Sequence, residues 1–140
     1  MKKNVLFICI HNSARSQMAE AYLEFFAGDK FEVYSAGIEP GVLNPVVIEA
    51  MKLDNIDISH KQTNSVNEFT DGHIVFDYII TVCDETAAEA CPFFPGQGKR
   101  LHWGFQDPSG LAGTEEEKLS RTIQIRDQIK EKVKKWCVGA

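Results

Sequence analysis

Cys9 opens the run Cys9-Ile10-His11-Asn12-Ser13-Ala14-Arg15-Ser16, in which five residues separate a cysteine from an arginine. A loop of this length between a strand and a helix turns successive backbone N–H groups inward, and the helix N-terminus adds partial positive charge. Arg15 contributes a planar fork that matches two oxygens of a tetrahedral oxyanion. The same field favours the thiolate of Cys9, its nucleophilic form. Ser13 and Ser16 supply hydroxyl donors to the sulfur or to the anion. The loop reads as an anion cradle built around a nucleophile. A core cysteine beside a surface arginine is the weaker reading, because strand, loop and helix all stand where the motif needs them.

Asp107, in Asp107-Pro108 on a Gly-flanked loop, has the chemistry of a general acid toward a departing oxygen. Asp-Pro is also an ordinary turn pair, and its combination with Cys9 and Arg15 is what favours catalysis. Two more thiols, Cys83 and Cys91, bracket seven residues. Each taken alone reads equally well as a small buried hydrophobe. Across a rigid helix their Cα atoms would stand about 12 Å apart, whereas a disulfide needs less than ~7 Å, so a bond between them requires the segment to unwind. Pro92, Pro95, Gly96 and Gly98 mark the stretch that follows as a loop able to accommodate this. No cysteine or histidine spacing matches a zinc ligand set. His11, His60, His73 and His102 read as structural or solvent-facing, and Cys137 as a bystander near a fraying end.

These groups need a scaffold. Asn4 to Cys9 is an apolar run of the kind found inside a parallel sheet. A helix follows from about Ser16 to Phe26, stopped at Gly28. Phe31 to Ala36 alternates as a second strand ending at Gly37. Pro45 to Leu53 forms a helix capped by Asn44, and Thr63 to Phe69 a short one. Tyr78 to Val82 is a third strand that delivers Cys83, Cys91-Pro92 closes the segment after it, and Lys99 to Trp103 is a fourth strand. Thr114 and Glu117 form a capping box at the head of a long helix, with Leu119, Ile123, Ile125, Ile129, Val133 and Trp136 on its buried face. Alternating strands and helices imply a single α/β domain over residues 1–140, a four-stranded parallel sheet with helices on both faces. Ligands of such sheets sit beyond the carboxyl ends of the strands, where Cys9, Cys83 and Asp107 all fall.

Composition agrees with this frame and removes other classes. A chain of 140 residues that is 44% hydrophobic supports one core without staples. The formal charge of −5 argues against a nucleic-acid surface. The apolar run after Met1-Lys2-Lys3-Asn4 is too short for a secretory signal, and no segment approaches a membrane span. The expectation is a cytoplasmic, monomeric protein.

With Val5-Leu6-Phe7-Ile8-Cys9, His11-Asn12-Ser13, Arg15 to Ala21, Ser35-Ala36-Gly37, Val82-Cys83-Asp84, Cys91-Pro92, His102-Trp103-Gly104 and Asp107-Pro108, the chain resembles the thioredoxin-coupled arsenate reductases. These share the fold of low-molecular-weight protein tyrosine phosphatases, and the resemblance covers nearly the whole chain. It implies that Cys9 attacks arsenate held by residues 9–16 while Asp107 protonates the leaving oxygen. Cys83 would then attack Cys9, releasing arsenite and leaving a Cys9–Cys83 disulfide, and Cys91 would convert this into a Cys83–Cys91 disulfide for thioredoxin to reduce. The best-described members have six residues between the last two cysteines, and the longer segment brings glutaredoxin or a low-molecular-weight thiol into consideration as reductant. Some members bind potassium through positions matching Asn12, Glu20 and Ser35; the Asp that completes their site would fall near Asn64 or Ser65, so that carboxylate is missing here. Read from the residues, two other functions stand beside arsenate reduction. One is a tyrosine phosphatase using Cys9, Arg15 and Asp107, disfavoured by Ser109-Gly110 where an aromatic platform would be needed. The other is a non-catalytic oxyanion or phosphopeptide binding module, which has no use for a nucleophile.

Overall fold

The computed structural model describes residues 2–84 and 98–139. Cys91 and the turn-like segment that it closes lie outside the described residues. Strand β1, Lys3–Cys9, leads to helix α1, Arg15–Ala27, and strand β2, Phe31–Gly37. Helix α2, Pro45–Leu53, and a 3₁₀ turn at Val66–Phe69 precede β3, Tyr78–Thr81. Strand β4, Lys99–His102, a 3₁₀ turn at Pro108–Gly110 and helix α3, Glu115–Gly139, complete the described order.

Val5, Leu6, Phe7 and Ile8 are fully buried, as a strand covered on both faces must be. The described sheet runs β2-β1-β3-β4, and every pairing is parallel. The chain thus moves from β1 to one edge and then returns past β1 to build the other. That reversal opens a crevice beyond the carboxyl ends of β1 and β3. Cys9 is the last residue of β1, and Cys83 lies two residues beyond β3.

One face of the sheet, with Phe7, Cys9, Ile80 and Val82, packs against residues of α1, α2 and α3 in a single core. The other, with Leu6, Ile8 and Ile79, is covered among the described residues by Phe76 and the 3₁₀ turn at Val66–Phe69. The helix expected over 63–69 is confined to that turn because Ser65 and Glu68 close a capping box only at its head.

Asn44 caps α2 by accepting from the Val46 N–H at 2.9 Å, and Thr114 and Glu117 exchange reciprocal bonds ahead of α3. The buried stripe of α3 is Thr122, Ile125, Ile129, Val133 and Cys137. Leu119, Ile123 and Trp136 are only half-buried, since they flank that three-and-four spacing. Cys137, expected at a fraying end, is instead 6% exposed on the packed face of α3. Trp136 closes the side of the core by stacking on Phe31 at 5.3 Å and meeting Tyr78 edge-on at 5.0 Å. Gly28 ends α1 at a φ of −62°, outside the left-handed region expected of a stop glycine. Its requirement is space, because a Cβ would lie 2.5 Å from the Glu24 carbonyl oxygen.

Candidate active site

The loop from Cys9 to Arg15 is fixed by its own side chains and by bonds from the segments beside it. Asn12 is fully buried and stands in the left-handed region at φ 55°, which its short polar side chain tolerates better than most. This bends the loop so that the Asn12 backbone N–H donates to Cys9 Sγ at 3.1 Å. The Asn12 Nδ2 donates to Ser16 Oγ at 2.7 Å, which leaves the Ser16 hydroxyl proton free to reach Cys9 Sγ at 2.9 Å. Two donors therefore converge on the sulfur.

Helix α1 begins without a side-chain cap, its N-cap position being Ala14. The sequence puts no Ser, Thr, Asp or Asn there, and a helix end that lacks its own oxygen is suited to an anion that supplies one. Arg15, 2% exposed, is held by its Nη1 donating to the Phe105 carbonyl oxygen at 3.0 Å. Its Nη2 faces Asp107 Oδ2 at 3.6 Å. Asp107 is aimed by its own turn, since its Oδ1 accepts from the Ser109 N–H at 2.9 Å. Cys9, His11, Ser13, Ala14, Arg15 and Asp107 line one small recess. A nucleophile, a cation and a carboxylic acid thus face a space that opens on a helix N-terminus, the set that displacement at a tetrahedral oxyanion requires.

Of the remaining loop residues, Ile10 and His11 act through their backbones, their carbonyl oxygens accepting from the Glu39 and Gly41 N–H groups. Ser13 likewise accepts from the Asn44 N–H at 3.0 Å. Gly37 is needed here because an added Cβ would lie 2.6 Å from the Ile10 oxygen and 2.8 Å from the Asn12 nitrogen. Cys83 is fully buried. Ile8 pairs with Thr81, and the Val82 N–H still bonds the Ile8 oxygen, so β1 and β3 bring Cys9 and Cys83 to neighbouring chain ends.

Glu20 and Ser35 meet as the sequence suggested, Ser35 Oγ donating to Glu20 Oε1 at 2.5 Å. Several of the oxygens that a potassium ion would use already accept hydrogen bonds, and an ammonium group stands beside them. Glu20 Oε2 accepts from Lys61 Nζ at 3.3 Å, and Asn12 Oδ1 accepts from both Gln17 Nε2 and the Asn64 N–H. Asn64 turns its NH₂ group toward the Ser35 carbonyl oxygen at 3.2 Å. The set does not fit potassium. Burial raises the pKa of Glu20 against the opposing pull of Lys61 and Ser35. Burial alone would lower Lys61, but the carboxylates of Glu20 and Glu24 outweigh it and hold Lys61 above its ordinary value.

Sequence reasoning missed three supports of this site, Gln17, Lys61 and Phe105, and marked Asn64 only as a place where a carboxylate is missing. Gln17 is 1% exposed near the head of a helix, and its polarity beside the Cys9 loop was the available signal. The other three act through tertiary contacts that no local pattern marks.

Residues 4–139 match the family model of the low molecular weight phosphotyrosine protein phosphatases. The chain belongs to that family. Within the family it is similar to the arsenate reductase of Bacillus licheniformis, 45% identical over 97% of this chain and 96% of that one. The arsenate reductase of Bacillus subtilis is 43% identical over 96% and 95% of the two chains. A solved arsenate reductase in its phosphate binding state superposes with a TM-score of 0.79 at 28% identity, covering 98% of each chain. That of Archaeoglobus fulgidus gives 0.67 at 30% identity over 92% of this chain and 98% of that chain. Among the described residues no helix is long and apolar enough to cross a membrane.

Proposed function

We propose that this chain reduces arsenate to arsenite through thiol chemistry started at Cys9 and completed by Cys83 and Cys91. The observation that carries this reading is the second buried thiol, Cys83, beside the end of the strand that bears Cys9. Reduction gives this thiol a part that hydrolysis does not require, and relatives over 40% identical across nearly the whole chain are arsenate reductases.

Arsenate enters the recess with its oxygens on the loop N–H groups and the Arg15 fork. Cys9 thiolate attacks arsenic, and Asp107 acts as general acid toward the departing hydroxyl, which leaves as water. Cys83 then attacks the Cys9 sulfur. The sulfur–arsenic bond breaks with its electron pair going to arsenic, so arsenic is reduced, arsenite departs and a Cys9–Cys83 disulfide forms. Cys91 attacks Cys83, frees Cys9 as a thiol and leaves a Cys83–Cys91 disulfide. An external dithiol protein of the thioredoxin type reduces that bond, at a rate set by thiolate fraction and access; a glutaredoxin or a small thiol are the alternative donors.

The test is arsenite formation with thioredoxin, thioredoxin reductase and a nicotinamide reductant. The parent turns over many times, Cys9→Ser does not react, and Cys83→Ser and Cys91→Ser each fail to sustain turnover. Equal turnover by parent and both variants would sink the relay. Hydrolysis of a phosphotyrosine peptide faster than arsenate reduction would favour the phosphatase reading instead.

A further inference from the structure

We propose that Lys61 is the chain's own monovalent cation: its ammonium group neutralises the Glu20 carboxylate behind the oxyanion loop, where an alkali ion would otherwise act, so that the protein works without potassium. Lys61 is then a positioning residue, acting on Cys9 through other groups.

The geometry supports this in three steps. The pair is largely withdrawn from water, the Glu20 and Lys61 side chains being 14% and 18% exposed. The ammonium spans two carboxylates, 3.3 Å from Glu20 Oε2 and 3.0 Å from Glu24 Oε1. A further cation beside it would meet direct repulsion in a partly desolvated place. Removing one member of such a pair leaves an uncompensated charge, which is costlier than never having built the pair.

The segment that carries Lys61 also grips the loop. Immediately after it, the Gln62 carbonyl oxygen accepts from Gln17 Nε2. Asn64 donates its N–H to Asn12 Oδ1 and its amide to the Ser35 carbonyl, and accepts from the Gly37 N–H. Ser35 is also the partner of Glu20, so Lys61, Glu20, Ser35, Asn64 and Asn12 form one connected array that ends on the Cys9 sulfur. A Glu20 left without its counter-charge would oppose the Cys9 thiolate as well as loosen the array.

An ordinary structural ion pair predicts loss of stability on mutation with no preference among salts. The experiment compares parent, Lys61→Ala and Lys61→Met in potassium, sodium and choline chloride at equal ionic strength. Its readouts are the melting temperature and the rate of Cys9 alkylation by iodoacetamide, followed by mass spectrometry. The parent should be indifferent to the choice of cation. Lys61→Ala opens room for an ion: in choline its Cys9 alkylation should slow at least about fivefold, and potassium should restore both readouts. Lys61→Met fills the same room and should remain slow in all three salts. A parent stabilised by potassium over choline would overturn the proposal, as would a Lys61→Ala variant that is unimpaired or equally impaired in every salt. If neither variant folds, the salt response of the parent decides. Arsenate turnover is a third readout that rests on the function proposed above; the first two report on Lys61 even if that function is wrong.

Discussion

The backbone N–H of Asn64 donates to the side-chain oxygen of Asn12 at 2.8 Å, joining a segment far away in sequence to the one residue of the oxyanion loop that stands in the left-handed region. The Asn12 side chain makes three hydrogen bonds: its oxygen accepts from Asn64 and Gln17, and its amide donates to Ser16. A single buried side chain therefore sets the curvature of the loop and the orientation of the hydroxyl that faces Cys9.

Asn12→Ala should consequently lose both stability and activity. The left-handed backbone costs about 1–2 kcal/mol once the local polar contacts are gone, and stranding the Asn64 N–H adds roughly 1–3 kcal/mol. Denaturant unfolding should show a loss within the sum of those ranges. Asn12→Gly should recover the backbone part alone, regaining stability but little arsenate turnover.

Gly37→Ala tests how closely β2 supports the loop. Its Cβ would meet backbone atoms of Ile10 and Asn12 below 3 Å, and backbone cannot yield as a flexible side chain does. The expected cost is about 1–3 kcal/mol of overpacking, with a larger proportional loss of arsenate turnover, because the displaced atoms belong to the anion cradle. Near-parental turnover would show that the cradle tolerates a shift of that size.

Arg15→Lys should keep the charge and lose the function. Arg15 reaches the Phe105 carbonyl with one terminal nitrogen while the other faces Asp107 and the recess. A lysine is a point charge and cannot meet both. Turnover should fall by about 10²–10³, the range seen when one transition-state donor is removed, while the melting temperature moves little.

How far this arrangement could be read from the chain differs between its parts. The Cys9 loop was legible because its chemistry is local: strand, loop and helix are consecutive, and Asn12, Ser16 and Arg15 act within eight residues of Cys9. The strands were legible for the same reason, an apolar run such as Val5 to Ile8 having few alternatives. The role of Lys61 was not, since a lysine in a polar stretch carries no sign that Glu20 lies beneath it. Hydrophobicity points to Ile123 and Trp136 on the buried face of α3, but the three-and-four spacing places Thr122 and Cys137 there instead. The family resemblance implied potassium at Asn12, Glu20 and Ser35, whereas the hydrogen-bond directions show the Asn12 and Glu20 oxygens accepting from Gln17, Asn64, Ser35 and Lys61.

Asn44 joins stability to the aim of the general acid. Its Oδ1 caps α2 through Val46, and its Nδ2 donates to Ser109 Oγ at 3.0 Å; Ser109 in turn holds Asp107. Asn44→Ala should cost about 1 kcal/mol as a lost cap and lower arsenate turnover. Asn44→Ser keeps a capping oxygen but not the amide donor, so it should melt near the parent and still turn over slowly. Full recovery of turnover by the serine variant would detach Ser109 from catalysis.

Away from the site, the Tyr22–Asp54–Lys130 cluster makes stability depend on pH. Tyr22, fully buried in α1, donates its hydroxyl to Asp54 Oδ2 at 2.7 Å, and Lys130 of α3 donates to the same oxygen at 2.9 Å. Burial, reinforced by the Asp54 carboxylate, holds the Tyr22 hydroxyl far above its ordinary value of 10.0. The folded state then keeps a proton that the unfolded state releases above about pH 10. By linkage, stability falls as pH rises through that region, with a limiting slope from this one group of about 1.4 kcal/mol per pH unit. Asp54 has the opposite sign: burial would raise it, but the hydrogen bonds from Lys130 and Tyr22 prevail and hold it below its ordinary 3.8. Its contribution is present above that value and is lost as pH falls through the lowered one. Tyr22→Phe should be less stable than the parent near neutrality, because Asp54 loses a donor, and the gap should narrow as pH climbs above 10. Urea unfolding of both proteins from pH 7 to 11 measures this directly, and a gap that stays constant across that range would show that Tyr22 releases its proton equally in both states.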